Sequence, residues 1–170
     1  IVLTFIIVFF ISKKYDLDRN QKLIFWLFVL FWSGITVVRA YRKLYAISPM
    51  EEGGLGFSVI LAAQITSAYG LISCFIRLPI FILSDIFNRK KIFIQIALFV
   101  LTLASLMVVL KPSYNTLYFS SIAMGICASM LAVFNVLFSE TFSKEKAAIS
   151  ASILSIAPLL AEFIAAPIQY

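Results

Sequence analysis

Histidine is absent from the 170 residues, cysteine occurs twice, glycine six times, and only 13% of the residues are charged. Without histidine, and with Cys74 and Cys127 each isolated inside an apolar run, the chain offers neither a metal-ligand cluster nor a paired nucleophile and base. No glycine-rich loop follows a strand to cradle a phosphate. The chain therefore reads as a protein that is not an enzyme and that needs no metal or cofactor, with catalysis open only to residues outside it. The two cysteines read as small packing residues. Scarcity of charge excludes a soluble domain, because 62% hydrophobic residues and a mean hydropathy of +1.03 leave little polar surface to face water.

What the sequence has instead is long apolar runs. A helix needs about 20 predominantly apolar residues to cross a hydrocarbon layer about 30 Å thick, and runs of that size occupy 23–46, 56–83, 92–110, 116–139 and 147–170. A shorter run, 1–12, precedes them. It lacks an initiator methionine, a basic leader and a small-residue cleavage site, so it reads as a truncated transmembrane helix rather than a signal peptide. With an apolar run also at the end, the chain is expected to be a fragment whose partners include the missing helices of its own protein. Barrel strands would alternate apolar and polar positions over about 10 residues, which these runs do not. The links "SKKYDLDRNQK", "SPMEEGG", "KPSYN" and "SKEKA" are short and carry turn residues, so consecutive helices are antiparallel neighbours. The expected fold is all-α, a polytopic transmembrane helix bundle.

Lysine and arginine orient it. Lys13, Lys14, Arg19 and Lys22, then Arg89, Lys90 and Lys91, then Lys144 and Lys146 fall on links that helix alternation places on one side. That side is cytoplasmic by the positive-inside rule, with 13–22 as a cytoplasmic link. The net charge of +6 then reflects topology and attraction to membrane lipid rather than nucleic acid, for which a basic soluble face is expected. The expected location is the plasma membrane.

One link carries more than charge. "SDIFNRKK", 84–91, resembles the loop of the major facilitator superfamily that reads Gly-x-x-x-Asp-Arg/Lys-x-Gly-Arg-Arg/Lys between the second and third helices of each six-helix half. Asp85, Arg89 and Lys90 match it, while Phe81, Ile86 and Asn88 stand at its other positions. The order of helices and loops over 23–170 is similar to five helices of such a half. In first halves the fourth helix often bears an arginine four residues before a glycine; here Ser121 stands at that distance from Gly125. That departure and the helix preceding residue 23 favour the second half, and the short link 13–22 keeps the first half open. The resemblance implies a secondary active transporter moving a small polar or anionic solute by alternating access. A proton-coupled drug exporter of the same superfamily and a non-transporting membrane receptor or scaffold are the other readings.

Candidate site residues follow from charge and depth. Asp85, Arg89 and Lys90 meet helix ends with unpaired N–H and C=O groups. With Glu140, which ends its own span at the same face, they form an expected cytoplasmic gating cluster. Within the spans an ionisable group costs at least ~2.5–3.5 kcal/mol near the bilayer centre and marks a pathway or a pair. Arg39 lies roughly 24 Å above residue 23, and Glu162 roughly 22 Å above residue 147. These two are expected to pair or to compete for solute, since their helices are neighbours in the fold that is resembled. The other reading of Arg39, which Arg42 and Lys43 follow, is that it reaches the outer headgroups. Arg77 lies about 12 Å deeper than Asp85, on a face with Ala63, Ser67, Gly70, Ser73 and Cys74, a spacing that suits close helix packing. Gln64 and Asn135 either contact solute or bond a neighbouring helix. The anionic preference rests on Arg39 and Arg77. In the last run Ala157, Ala161 and Ala165 suit close packing, with Pro158 and Pro167 interrupting the helical hydrogen bonds.

Overall fold

The computed structural model of the protein describes residues 2–166; Pro167 and Tyr170, to which the last apolar run extends, lie outside the described residues. Seven α-helices follow in order: α1 (Val2–Lys14), α2 (Arg19–Ile47), α3 (Val59–Ile86), α4 (Lys90–Leu110), α5 (Tyr114–Ser129), α6 (Leu131–Ser139) and α7 (Ala147–Ala165). Single 3₁₀ turns occupy Met50–Glu52 and Lys144–Lys146, and no strand occurs among the described residues. Five segments are long and apolar enough to cross a bilayer: α2, α3, α4, the pair α5–α6 and α7, at 29, 28, 21, 26 and 19 residues. The break between α5 and α6 is one residue wide. There the Met130 amide donates to the Cys127 carbonyl at 3.0 Å, a three-residue step that tightens one turn without ending the span.

Local chemistry sets the helix ends. At the start of α2 the Arg19 amide donates to Asp18 Oδ1 at 2.7 Å and the Asp18 amide to Gln21 Oε1 at 2.9 Å. Ser113 and Thr116 form a capping box at α5, in which each side chain accepts from the other's amide. At the other end of α2 the link to α3 doubles back. Gly53 and Gly56 take positive φ, 82° and 63°, which costs glycine little. The Leu55 and Phe57 amides can then donate to the carbonyls of Tyr45 and Ala46. Gly54 passes so close to Ser48 that a Cβ would overlap its carbonyl oxygen.

The chain divides into two compact units, 39–133 and the combination of 1–38 with 134–170, so α2 and α6 contribute to both. In the first, α3 and α4 both pack on α5. The approach of α3 to α5 is closest at Gly125, where a Cβ would stand 2.8 Å from the Tyr69 carbonyl oxygen and 3.0 Å from Ile72 Cβ. One turn on, Ser129 Oγ shares its one proton between the Gly125 carbonyl at 2.9 Å and, across the interface, the Ser73 carbonyl at 3.2 Å. Small residues at a membrane helix interface let backbones approach this closely. In the second unit, Phe25, Phe28 and Phe31 of α2 pack on Phe134 and Phe138 of α6, with ring centroids 4.9–6.4 Å apart. There α1 packs on α7, whose Ala157, Ala161 and Ala165 are all fully buried.

Large apolar side chains remain outside these contacts, among them Phe75 and Leu78 of α3 and Phe99, Val109 and Leu110 of α4. On helices of spanning length such surface is solvated by hydrocarbon. Two glycines test the packing. Gly125→Ala is expected to cost about 1–3 kcal/mol through overpacking. Gly34→Ala, at a helical position with nothing within 4 Å, should be neutral or gain up to about 1 kcal/mol from helix propensity. Thermal unfolding of the two variants in one detergent checks the contrast, and equal midpoints would contradict the close approach.

Candidate functional site

The buried face of α2 runs through Phe28, Phe31, Ile35, Arg42 and Ala46, whose separations follow a helical repeat. Arg42 stands seven residues after Ile35 and four before Ala46, so the helix turns its side chain inward and leaves it 8% exposed. Its Nη1 donates to Ser121 Oγ at 2.7 Å and its Nη2 to Ser120 Oγ at 2.8 Å. Both serines are buried on α5, and Tyr69 of α3 lies within electrostatic reach. Among the described residues the hydrogen-bond partners of Arg42 are hydroxyls, and no carboxylate pairs with it.

One helical turn beyond Arg42 on α2, at Ala46, lies a second group of side chains. Ala46, Ala62, Ile65 and Leu117 form a buried apolar cluster, covered by Tyr45, Phe57, Tyr114 and Tyr118. Tyr114 stacks on Tyr118 at 5.8 Å and meets Phe57 edge-on at 6.2 Å. Phe57 reaches this position because the turn at Gly53–Gly56 folds the link back onto α2. The site is thus a guanidinium held by two hydroxyls, one helical turn from an apolar cluster that aromatic rings cover. A guanidinium has five N–H donors, and two of them are engaged by the serines.

Arg42 faces inward, although it lies in the same basic stretch as the exposed Arg39 and Lys43. The helical face decides this: Arg42 shares the face of Ile35 and Ala46, whereas Lys43, one residue on, is exposed. Ser121, four residues before Gly125, accepts from Arg42, so the charge at that level comes from α2.

The residues singled out in the sequence are placed as follows. Arg39, Arg77, Asn135 and Glu162 are all exposed. Arg77 Nη2 reaches Ser73 Oγ at 3.4 Å, one turn back on α3. Gln64 is bonded to a neighbouring helix, its Oε1 accepting from Tyr114 Oη at 3.0 Å beside the rings that cover the cluster at Ala46. Of the face Ala63, Ser67, Gly70, Ser73 and Cys74, only Ser73 is buried. The packed seam of α3 runs instead through Ala62, Ile65, Ala68 and Ser73. Cys127 is buried and Cys74 exposed.

At the α3–α4 link, Asn88 takes φ 47° and the turn brings Lys90 Nζ to 3.3 Å from Asp85 Oδ1. Lys90 is 6% exposed and Asp85 62%. Asp85 sits near the C-terminus of α3 and Lys90 at the N-terminus of α4, each at the helix end whose dipole disfavours its charge. Pairing them offsets both penalties. Arg89 and Glu140 are exposed. Among the described residues no group of three His, Cys, Asp or Glu side chains could hold a metal ion.

Comparison with curated proteins and with solved structures returns no match. The model of one family, the Major Facilitator Superfamily, matches residues 23–170. The match covers all five segments of spanning length except the first four residues of α2. Its members are transporters that carry small molecules across membranes. The matched helices and their apolar surfaces agree in making this an integral membrane protein, and the chain belongs to the Major Facilitator Superfamily.

Proposed function

We propose that the protein is a secondary active transporter of the plasma membrane that moves a small anionic solute by alternating access, with Arg42 as the charge that recognises it. The observation that supports this reading is the partner set of Arg42. A guanidinium buried against two neutral hydroxyls keeps its positive field, and its planar fork is suited to two-pronged contact with a carboxylate or phosphate. A drug exporter selecting cations would need an acid in that place, whereas Glu162, the acidic residue well inside a span, is exposed on α7. Arg39, Arg77, Asn135 and Glu162 are proposed to line the solute path. Asp85 and Lys90, with Arg89 and Glu140, are proposed to belong to the cytoplasmic gate.

Two experiments test this. Thermal unfolding of the purified protein is followed against inorganic phosphate, small carboxylates, neutral solutes and cations. At a hundredfold excess over its dissociation constant, a ligand specific for the folded state stabilises by about 2.7 kcal/mol. An anion is expected to raise the midpoint in wild type and to bind at least tenfold more weakly to both Arg42→Gln and Arg42→Lys. If Arg42 only fastens α2 to α5, Arg42→Gln will lower the midpoint without solute while the anion response survives. Stabilisation by cations that is lost in Glu162→Gln would replace this reading with an exporter. No response to any solute, with no transport by vesicles, would favour a receptor or scaffold. For the gate, Asp85→Asn is expected to change both the transport rate and the labelling of introduced cysteines from the cytoplasmic side. Wild-type values for both would remove Asp85 from gating.

A further inference from the structure

Where α1 turns into α2, two lysines stand at the mouth of an apolar groove. The turn is made by Asp16 in the left-handed region, φ 47°, which a short polar side chain tolerates. The groove encloses about 910 Å³. Its wall is Ile6, Val8 and Phe9 of α1 together with Trp26 of α2, and its rim carries Lys13 and Lys22. Lys22 lies three residues into a helix of spanning length, so the rim marks the edge of the hydrocarbon layer. Ile6 lies about 10 Å along α1 from Lys13 at 1.5 Å per residue, so the apolar wall continues inward from the charged mouth. Phe9 is exposed, leaving the groove open at its side.

That arrangement suits an amphipathic anion better than a soluble one. A free anion needs the lysines and gains nothing from the wall, whereas a phospholipid uses both. Its phosphate meets Lys13 and Lys22, an acyl chain lies along Ile6 to Phe9, and Trp26 sits at the interfacial depth where indole rings accumulate. Residues 12–22 hold four basic side chains against two acidic ones, a net charge of +2, which favours anionic headgroups. Asp16 is on the same rim, so Lys13, Lys22 and Asp16 sum to +1. That charge matches a headgroup with a single phosphate and no amine. We propose that the groove between α1 and the start of α2 is a binding site for a singly charged anionic phospholipid.

The test uses the full chain, delipidated in a neutral detergent, with phosphatidylglycerol, phosphatidylcholine and inorganic phosphate as probes. Native mass spectrometry counts bound lipid and thermal unfolding reads its effect. Phosphatidylglycerol is expected to bind at least tenfold more tightly than phosphatidylcholine. That preference should fall at least tenfold in Lys13→Gln/Lys22→Gln and persist in Lys13→Arg/Lys22→Arg. Ser12→Phe, which narrows the groove from its rim without changing charge, should abolish it as well. Retention of the preference in Ser12→Phe alongside its loss in the glutamine variant would mean diffuse surface attraction and overturn the proposal. An equal midpoint shift from inorganic phosphate would assign the lysines to a free anion, and equal binding of the two lipids would remove the site.

Discussion

Hydrocarbon offers no hydrogen-bond partner, so every backbone N–H and C=O within the spans must be satisfied by the chain itself. The rest of the structure depends on that constraint. It explains why the segments of spanning length are helical, with one tightened turn at Met130 in the pair α5–α6, and why hydroxyls within them bond back to a carbonyl one turn earlier. Ser33 donates to the Val29 carbonyl at 2.7 Å, Thr66 to Ala62 at 2.9 Å and Thr102 to Leu98 at 2.8 Å. The same constraint governs the ends. The last carbonyls of α2 are met by amides of the link that follows, which requires the positive φ of Gly53 and Gly56 and the lack of a side chain at Gly54. The aromatic cover of the cluster at Ala46 is therefore a consequence of how α2 ends, since the same backbone bonds carry Phe57 into it.

Once backbone groups are satisfied within each helix, helices associate through packing and a few polar contacts rather than through the hydrophobic effect, because lipid tails are as apolar as the side chains. Gly125, Ser73 and Ser129 show how this is done. Gly125 removes the atoms that would separate α3 from α5, and Ser129 uses the resulting proximity to reach a carbonyl of α3. Cross-helix bonds of this kind contribute about 0.6 kcal/mol on average, so the packing that Gly125 permits is the larger part.

The spans were legible because hydropathy over some 20 residues averages out local detail; each expected run lies within a few residues of a helix found. The α3–α4 turn was legible as a charged link, and Asp85 and Lys90 as its members. Which base pairs with Asp85 was not, because that depends on the direction given to the chain by Asn88 at positive φ. The seam of α3 was legible only at Ser73, for a related reason. Ala62 and Ala63 are equally small, and which of them is buried depends on where α5 lies. Arg42 is the instructive miss. It was passed over beside Arg39, yet its separation of seven residues from Ile35 and four from Ala46 already put it on the apolar face. Periodicity outweighs proximity to an end when the end is itself covered by a link.

Energetics then bear on what Arg42 is for. At the centre of a span an arginine costs about 2.5–3.5 kcal/mol on insertion scales. That is an upper figure for Arg42, five residues from the end of α2, and each hydrogen bond to a charged group returns about 1.5–3 kcal/mol. Two serine hydroxyls are thus sufficient, to within the spread of those values, to hold Arg42 in place. A carboxylate is not required for folding, and its absence from the partner set leaves the charge uncancelled. A salt bridge would have cancelled the field that an anion could use and would have made that anion compete with a tethered carboxylate at high effective concentration. Hydroxyls orient the guanidinium without opposing its charge. The combination is one that packing alone does not call for, since an apolar residue would fill the same face of α2 at lower cost.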